Sequence, residues 1–341
     1  MAKISAIVTN YNGFKLGLLK NFFEDFLNND YKNYEIFFVD NASEDNSVQF
    51  VEKNYSMDKR VVIIKNSINN MTLGINMALK QAKGQYVLFL NNDIYLSKGS
   101  LSKMVKFMDK NKKVALVQGK LISFSNHRKI DDVGETMDLY GNPVTLGAGE
   151  RDEGQYSSQR ELLSATGAAS LLRYSLLEKV GMLDSDYGIG YEDLDLSIRL
   201  RLIGYKIIFL PDVLVFHRRS SSVSRSSEEI RLRIKYGFNK NRLATLIKNY
   251  QLSTLMKSLP IVIIIYFVTA LFEIFYKRLW KFGLYRFKAI AWMILNLPNL
   301  LLKRKKIQQI RLISDKEAII PFLAKGYLIE SIKHFLSSKK W

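Results

Sequence analysis

The chain has 341 residues, 48% of them hydrophobic and 24% charged, which is enough for one large domain with a smaller appendage. It contains no cysteine, so a disulfide framework, a thiolate metal site and a cysteine nucleophile are all excluded. The net charge of +19 is unevenly placed: Tyr236–Trp341 carries 19 Lys and Arg against 4 Asp and Glu, whereas Met1–Lys235 carries 32 against 28. That basic tail also holds the longest apolar runs. Basic charge beside apolar helices points to an anionic membrane surface, and it argues against a nucleic-acid partner.

In chain order, Ile4–Val8 reads as a buried strand, followed by a polar turn over Thr9–Gly13. Leu16–Leu27 has helical spacing with Leu19, Phe22, Phe23 and Phe26 on one side. Tyr34–Val39 is a second strand ending on Asp40, and a helix follows through Asn46 to about Asn54. Val61–Ile64 is a third strand ending near Asn66, and Gly74–Lys83 a third helix. Tyr86–Leu90 is an unbroken apolar run between Gly84 and Asn91-Asn92-Asp93, which predicts a fully buried strand. Strands alternating with helices at this spacing predict an α/β fold with a mostly parallel sheet. Ligands of such sheets bind beyond the carboxyl ends of the strands, and polar residues recur there: Asn10, Asp40, Asn66 and Asp93. A carboxylate at Asp93 can hold a divalent metal, but by itself Asn91-Asn92-Asp93 reads first as a turn.

A helix is expected over Lys98–Lys110 and a strand over Ala115–Gln118. Leu121–Glu161 has weak periodicity and reads as hairpins with a mobile loop around Gly141–Gln155. Thr166-Gly167-Ala168 opens a small apolar stretch to Leu172, and Ser175–Val180 is a short helix closed by Gly181. Gly188–Asp195 leads through glycines into an acidic helix start, with Leu196, Leu200 and Ile203 as its buried stripe and Asp195 and Arg199 spaced to pair on its surface. Lys206–Leu210 and Val213–Phe216 read as two strands split by Pro211-Asp212, the second delivering His217. After the Ser220–Ser227 run the tail begins near Glu228, with a basic helix over Ile230–Tyr250. The apolar runs Leu259–Phe272, extending to Tyr276 past Glu273, and Ala289–Leu302, interrupted by Pro298, are short for spanning helices. They read as interfacial helices with snorkelling basic residues, with a tight hairpin through the bilayer or a buried soluble subdomain left open.

Taken together, Ile7-Val-Thr-Asn-Tyr-Asn12, Val39-Asp-Asn-Ala-Ser43, Phe89-Leu-Asn-Asn-Asp93, Thr166-Gly-Ala168, Gly190-Tyr-Glu-Asp-Leu-Asp-Leu-Ser-Ile-Arg199, Gly204-Tyr205 and Pro211–His217 followed by Ser220 make a pattern. In the order and spacing of these motifs, from about Ile4 to Ser222, the chain resembles family 2 glycosyltransferases of the GT-A fold, in particular the rhamnosyltransferase-like members. The resemblance implies a catalytic domain over 1–227 and a membrane-associated helical tail over 228–341. It implies transfer of a sugar, with inversion, from a nucleotide-diphosphate donor to a hydroxyl of a saccharide, which the tail places on a membrane lipid at the cytoplasmic face. It further implies a divalent cation, Mn²⁺ or Mg²⁺, that neutralises the leaving diphosphate.

Residue by residue, Asp93 matches the last acid of the family's metal motif and His217 a position that completes the metal site or touches the diphosphate. Asn91 stands where many members have the first acid of that motif, a neutral and weaker ligand. Asp193 matches the catalytic base, with Glu192 orienting it or meeting the acceptor. Thr9, Asn10, Tyr11 and Asp40 match the nucleoside site. Asn92 would lie against ribose or diphosphate, and Asn66 is a further contact, with Asn76 a lesser candidate. Thr166, Gly167 and Ala168 would floor the sugar and acceptor pocket. Met71 replaces a glycine common in relatives. Read without the resemblance, the three acids Glu192, Asp193 and Asp195 also suit a helix N-terminus, and His217 a strand end. A polyprenyl-phosphate (or dolichyl-phosphate) sugar synthase, a nucleotidyltransferase and a catalytically decayed membrane adaptor are the competing readings.

Overall fold

The computed structural model describes residues 2–219 and 228–327. The Ser220–Ser227 run and residues 328–341 of the tail lie outside the described residues. Strands and helices alternate at first: β1 (Ile4–Asn10), α1 (Leu19–Leu27), β2 (Tyr34–Asn41), α2 (Ser47–Tyr55), β3 (Val61–Asn66), α3 (Met71–Leu79) and β4 (Tyr86–Asn91). Then come β5 (Ile94–Leu96), α4 (Ser100–Lys110), β6 (Val114–Ser123), β7 (Ile130–Asp132), β8 (Glu135–Met137), β9 (Pro143–Thr145), β10 (Arg160–Glu161) and β11 (Ala169–Arg173). The sheet domain closes with α5 (Leu177–Val180), α6 (Glu192–Leu202) and β12 (Lys206–His217). The helices α7 (Glu228–Asn249), α8 (Leu252–Leu271), α9 (Trp280–Leu295), α10 (Leu297–Ile310) and α11 (Asp315–Ala318) follow.

Ten strands form one sheet in the order β10-β12-β6-β11-β4-β1-β2-β3, with β5 and β7 on its margin. β4, β1, β2 and β3 run parallel, β11 lies antiparallel between β4 and β6, and β12 is parallel to β6. Both faces of the sheet are covered, which is why Tyr86–Leu90 is apolar without alternation. One face packs under the Leu19, Phe22, Phe23 and Phe26 stripe of α1 and under α4; the other packs under α3, α5 and α6. Gly74 lets α3 press onto β2, because a Cβ there would sit 2.5 Å from Asn41 Oδ1 and 2.7 Å from Val39.

Several elements depart from the sequence reading. The third helix begins at Met71, where the Asn70 side chain accepts from the Leu73 N–H, and it ends at Leu79. β6 runs on to Ser123, because β12 and β7 pair with its second half. Lys206–His217 is a single strand: it continues through Pro211-Asp212 by a bulge that shifts its register on β6 between Leu210 and Leu214. The Gly141–Gln155 stretch is held by the β8–β9 hairpin and by backbone bonds from Ile130 and Gly149.

Asp195 and Arg199 do pair, Nε to Oδ2 at 2.9 Å, but they are buried and not on a helix surface. The reason is that α6 is covered on two sides. Leu196 and Leu200 face the sheet, while Leu194, Ile198 and Leu202 share a core with Leu243, Leu246, Ile247 and Tyr250 of α7. Arg199 also donates to the carbonyls of Val180, Gly181 and Met182, and Asp195 accepts from Lys248, Asn249 and Tyr187. Asp195→Ala leaves two buried cations without this carboxylate, and we expect it to cost about 3–5 kcal/mol of stability in chemical denaturation. Burial raises the Asp195 pKa, but Lys248 and Arg199 outweigh it and hold the carboxyl below its ordinary value. This stabilisation is therefore complete above the unfolded carboxyl pKa of about 3.9 and is lost as pH falls through the lower folded value.

Candidate active site

The carboxyl ends of β4, β1, β2 and β3 are joined by a row of side-chain hydrogen bonds. Thr9 Oγ1 donates to Asn91 Oδ1 at 3.2 Å, and Asn92 Nδ2 donates to Asn10 Oδ1 at 2.6 Å. Asn10 Nδ2 in turn donates to Asp40 Oδ1 at 2.7 Å, and Asn66 Nδ2 to Asn41 Oδ1 at 3.1 Å. Ser43 locks Asp40 through its N–H at 3.0 Å and its hydroxyl at 2.6 Å. Gly13 is required by this row: a Cβ there would lie 2.2 Å from Asn10 Oδ1 and 2.5 Å from Asn92 Nδ2. Tyr11 stands exposed beside it. Asn76 is committed elsewhere, to both backbone groups of Leu183.

Next to this row, β12 brings His217 to Asp93 through its pairing with β5. His217 Nε2 lies 3.3 Å from Asp93 Oδ1, and Nδ1 lies 2.6 Å from Asp131 Oδ2. Arg219 closes on the other oxygen of Asp131. Burial acts to lower the His217 pKa, but the hydrogen bonds and charges of Asp131 and Asp93 raise it to about 9. The side-chain oxygen of Asn91 accepts from Thr9. Among the described residues no group of three or more His, Asp or Glu side chains is arranged to cage a metal.

A cavity of about 240 Å³ opens along the same edge of the sheet. Thr9, Asn91 and Met71 line one side of it, Thr166, Gly167 and Ala168 another, and Glu192 and Asp193 a third. The Ala168 carbonyl accepts from Asn91 N–H at 3.1 Å, and the Gly167 N–H donates to Asp193 Oδ2 at 3.1 Å. Asn91 and Asp193 are thus linked through two successive residues of one turn, and Asp93 follows Asn91 by two. Space does not demand glycine at 167, where a Cβ would come no nearer than 3.8 Å to Asp193. The Leu194 N–H holds Asp193 Oδ1 at 2.8 Å, so both carboxylate oxygens are tied to backbone. The preceding loop is fixed from α7, where the buried Asn241 amide donates to the carbonyls of Tyr187, Ile189 and Gly190.

Residues 5–181, just over half of the chain, match the family model described as Glycosyl transferase family 2. The chain belongs to that family. A 90-residue segment of this family 2 chain is 37% identical to UDP-Glc:alpha-D-GlcNAc-diphosphoundecaprenol beta-1,3-glucosyltransferase WfaP of Escherichia coli, covering 26% of this chain and 35% of that protein. The matches span about a third of the length of the first curated relatives. The fold is GT-A, as in solved structures of low sequence identity. GalNAc-T7 with UDP, GalNAc and Mn²⁺ superposes with a TM-score of 0.60 at 15% identity, over 86% of this chain and 57% of that one. The mannosyltransferase PcManGT of Pyrobaculum calidifontis with GDP-Man and Mn²⁺ gives 0.52 at 16%, over 85% and 86%.

Two acids of this family 2 site were not anticipated, Asp131 beside His217 and Glu135 beside Asp193. Both sit on short strands, β7 and β8, in the stretch without periodicity; the doublet Asp131-Asp132 was its only visible signal. Burial, with the charges of Asp193 and Asp132, raises the Glu135 pKa well above its ordinary value. Burial and the Asp193 charge likewise raise Glu192 to about 8. One buried Glu192 oxygen has no hydrogen-bond partner among the described residues. Asp193 itself is raised by burial, and the Glu135 bond opposes this. Glu135→Ala is therefore expected to move the acid limb of the pH–rate profile to higher pH, because Asp193 loses a donor to its charged form. Glu135→Gln keeps a donor and should hold the limb in place.

Proposed function

We propose that this chain transfers a sugar, with inversion, from a nucleotide diphosphate to a hydroxyl of a saccharide carried on a membrane lipid. One observation carries the reading: a single cavity is lined both by Thr9 and Asn91, the members of the strand-end polar row nearest to it, and by the backbone-tethered Asp193. The polar row, with Thr9, Asn10, Tyr11, Asp40, Asn66 and Asn92, would receive the nucleoside and ribose. Thr166, Gly167 and Ala168 would floor the sugar. Asp193 takes the proton of the acceptor hydroxyl as its oxygen bonds to the anomeric carbon and the bond to the diphosphate oxygen breaks. An acceptor approached from the side opposite the leaving group inverts the anomeric centre. Glu192, whose pKa burial raises to about 8 and one of whose oxygens has no hydrogen-bond partner among the described residues, would meet the acceptor or steady Asp193.

The donor set just beyond β4 and at the end of β12 suits a divalent cation. Asp93 Oδ1 and His217 Nε2 face each other, and Asp131 anchors the far nitrogen in the manner of a carboxylate behind a metal-bound histidine. Asp93 and His217, with Asn91 near by, would hold such an ion, and the diphosphate would supply further oxygens. Bound there, the ion would offset charge developing on the diphosphate. The nucleotides and Mn²⁺ in the two solved neighbours support this, and the diphosphoundecaprenol acceptor in the name of the Escherichia coli relative supports a lipid-linked acceptor. A cytoplasmic-leaflet location follows from where nucleotide sugars are available.

The test is product analysis with a panel of nucleotide sugars, Mn²⁺ and lipid-linked saccharides. We expect release of nucleoside diphosphate that depends on the saccharide, with an inverted linkage by NMR. Release of pyrophosphate would make the chain a nucleotidyltransferase, transfer to polyprenyl phosphate a lipid-phosphate sugar synthase, and no nucleotide binding a decayed adaptor.

A further inference from the structure

Leu252–Tyr276 is the one helical stretch among the described residues long and apolar enough to cross a bilayer, at about 37 Å for its 25 residues. Its two faces differ in what they meet. One stripe, Leu255, Ser258, Val262, Tyr266 and Ala270, is buried against α7 and α9. Gly283 of α9 makes that contact close, since a Cβ there would sit 2.6 Å from the Ala270 carbonyl. The stripe is also polar where it matters. Tyr266 Oη donates to the Asn239 carbonyl of α7 at 3.1 Å. One turn beyond Ala270, the fully buried Glu273 meets Lys235 of α7 and, at 2.9 and 3.1 Å, the Arg286 guanidinium of α9. α7 in turn shares its core with α6 of the sheet domain. A membrane-crossing α8 would have to leave α7, stranding a carboxylate in hydrocarbon and two cations on the protein.

The opposite face is apolar and bare. Ile264, Phe267 (52% exposed), Val268, Leu271 and Phe275 (76% exposed) project from it, and only 28% of the most apolar stretch is buried. The stripe continues onto α9 through the Phe267–Phe287 ring contact at 5.5 Å, and on to Leu284 and Leu295. Such a surface is larger than the scattered apolar exposure of an ordinary soluble protein. Exposed cations stand at both ends of α8, Lys257 and Arg278, and Lys288 lies on α9. Tyr276 and Trp280, both exposed, flank Arg278, as aromatic side chains do at headgroup depth.

We propose that α8 and α9 form a monotopic docking face that lies in the plane of one leaflet of an anionic bilayer, with α8 held from crossing by the Glu273 contacts to α7 and α9. This deepens the membrane-linked reading above, but its chemistry is independent of sugar transfer. Because α7 carries both the Lys235 contact to Glu273 and the Asn241 amide that fixes the loop before Glu192-Asp193, the docked face and the acid loop belong to one packed block.

The full chain should float with vesicles of phosphatidylcholine containing about a third phosphatidylglycerol, and Ile264→Glu/Phe267→Glu should reduce the bound fraction at least tenfold or so. These positions are exposed, so the variant should keep its melting temperature. The native chain has no cysteine, so Lys257→Cys and Arg278→Cys can each be labelled singly on vesicles with an impermeant maleimide. Both are expected to react from outside. Protection of one but not the other would overturn the in-plane placement in favour of a span. No flotation, equal binding to neutral vesicles, or a vesicle-free dimer that the Glu variant splits would overturn the anionic bilayer as the occupant. Loss of transfer with flotation intact would count against the enzymatic reading and leave this one standing.

Discussion

Asp193→Asn should slow sugar transfer by about 10²–10⁴-fold while nucleotide binding stays at the parent level. The amide preserves the shape of the side chain and can still accept the Gly167 or Leu194 N–H, so the turn between Asn91 and Asp193 should keep its place. What it removes is the ability to take a proton. Two readouts separate this from a structural effect. Thermal shift by the nucleotide should be unchanged, because the polar row from Thr9 to Asn66 does not touch Asp193. The fall should be in kcat, with KM for the donor close to the parent value. Transfer that survives at the parent rate would remove Asp193 as the base and return Glu192 and Glu135 to consideration.

Asp93→Asn should weaken nucleotide-diphosphate binding in the presence of Mn²⁺ by on the order of 10²-fold, and remove the difference between binding with and without the ion. Isothermal calorimetry with and without chelator measures both. The substitution leaves a side chain of the same size next to His217 but takes away the carboxylate that faces Nε2 among the described residues. Asp131→Asn is the graded companion. It leaves the facing pair intact and removes the charge of the carboxylate that anchors Nδ1 and pairs with Arg219, so the expected loss of metal-dependent affinity is smaller, about 10–100-fold. Equal affinity of all three chains for the nucleotide with Mn²⁺ would dissociate this cluster from ion binding.

The parallel half of the sheet was legible because its signals are local. Tyr86–Leu90 could only be a strand covered on both faces, and Leu19, Phe22, Phe23 and Phe26 could only share one side of a helix. The strand-end residues Asn10, Asp40 and Asn66 followed from the same pattern, since a strand that ends on a polar residue delivers it to one edge of the sheet. The antiparallel half was less legible. β7 and β8 are three residues each, too short to show a period of two, so Asp131 and Glu135 carried no mark of their position. Lys206–His217 was read as two strands because a proline ordinarily ends one, and here a bulge absorbs it.

Local periodicity, composition and charge thus determined the fold class, the edge on which the polar residues gather, and the basic apolar character of the C-terminal third. Tertiary structure alone decided which distant carboxylates meet, that α6 is covered on both sides and so buries Asp195 with Arg199, and which face of α8 is left bare. The physical reason is that the first set depends on neighbours within a few positions along the chain. The second depends on pairings between groups tens to hundreds of positions apart, such as Asp131 with His217 or Lys235 with Glu273, whose partners no local pattern names.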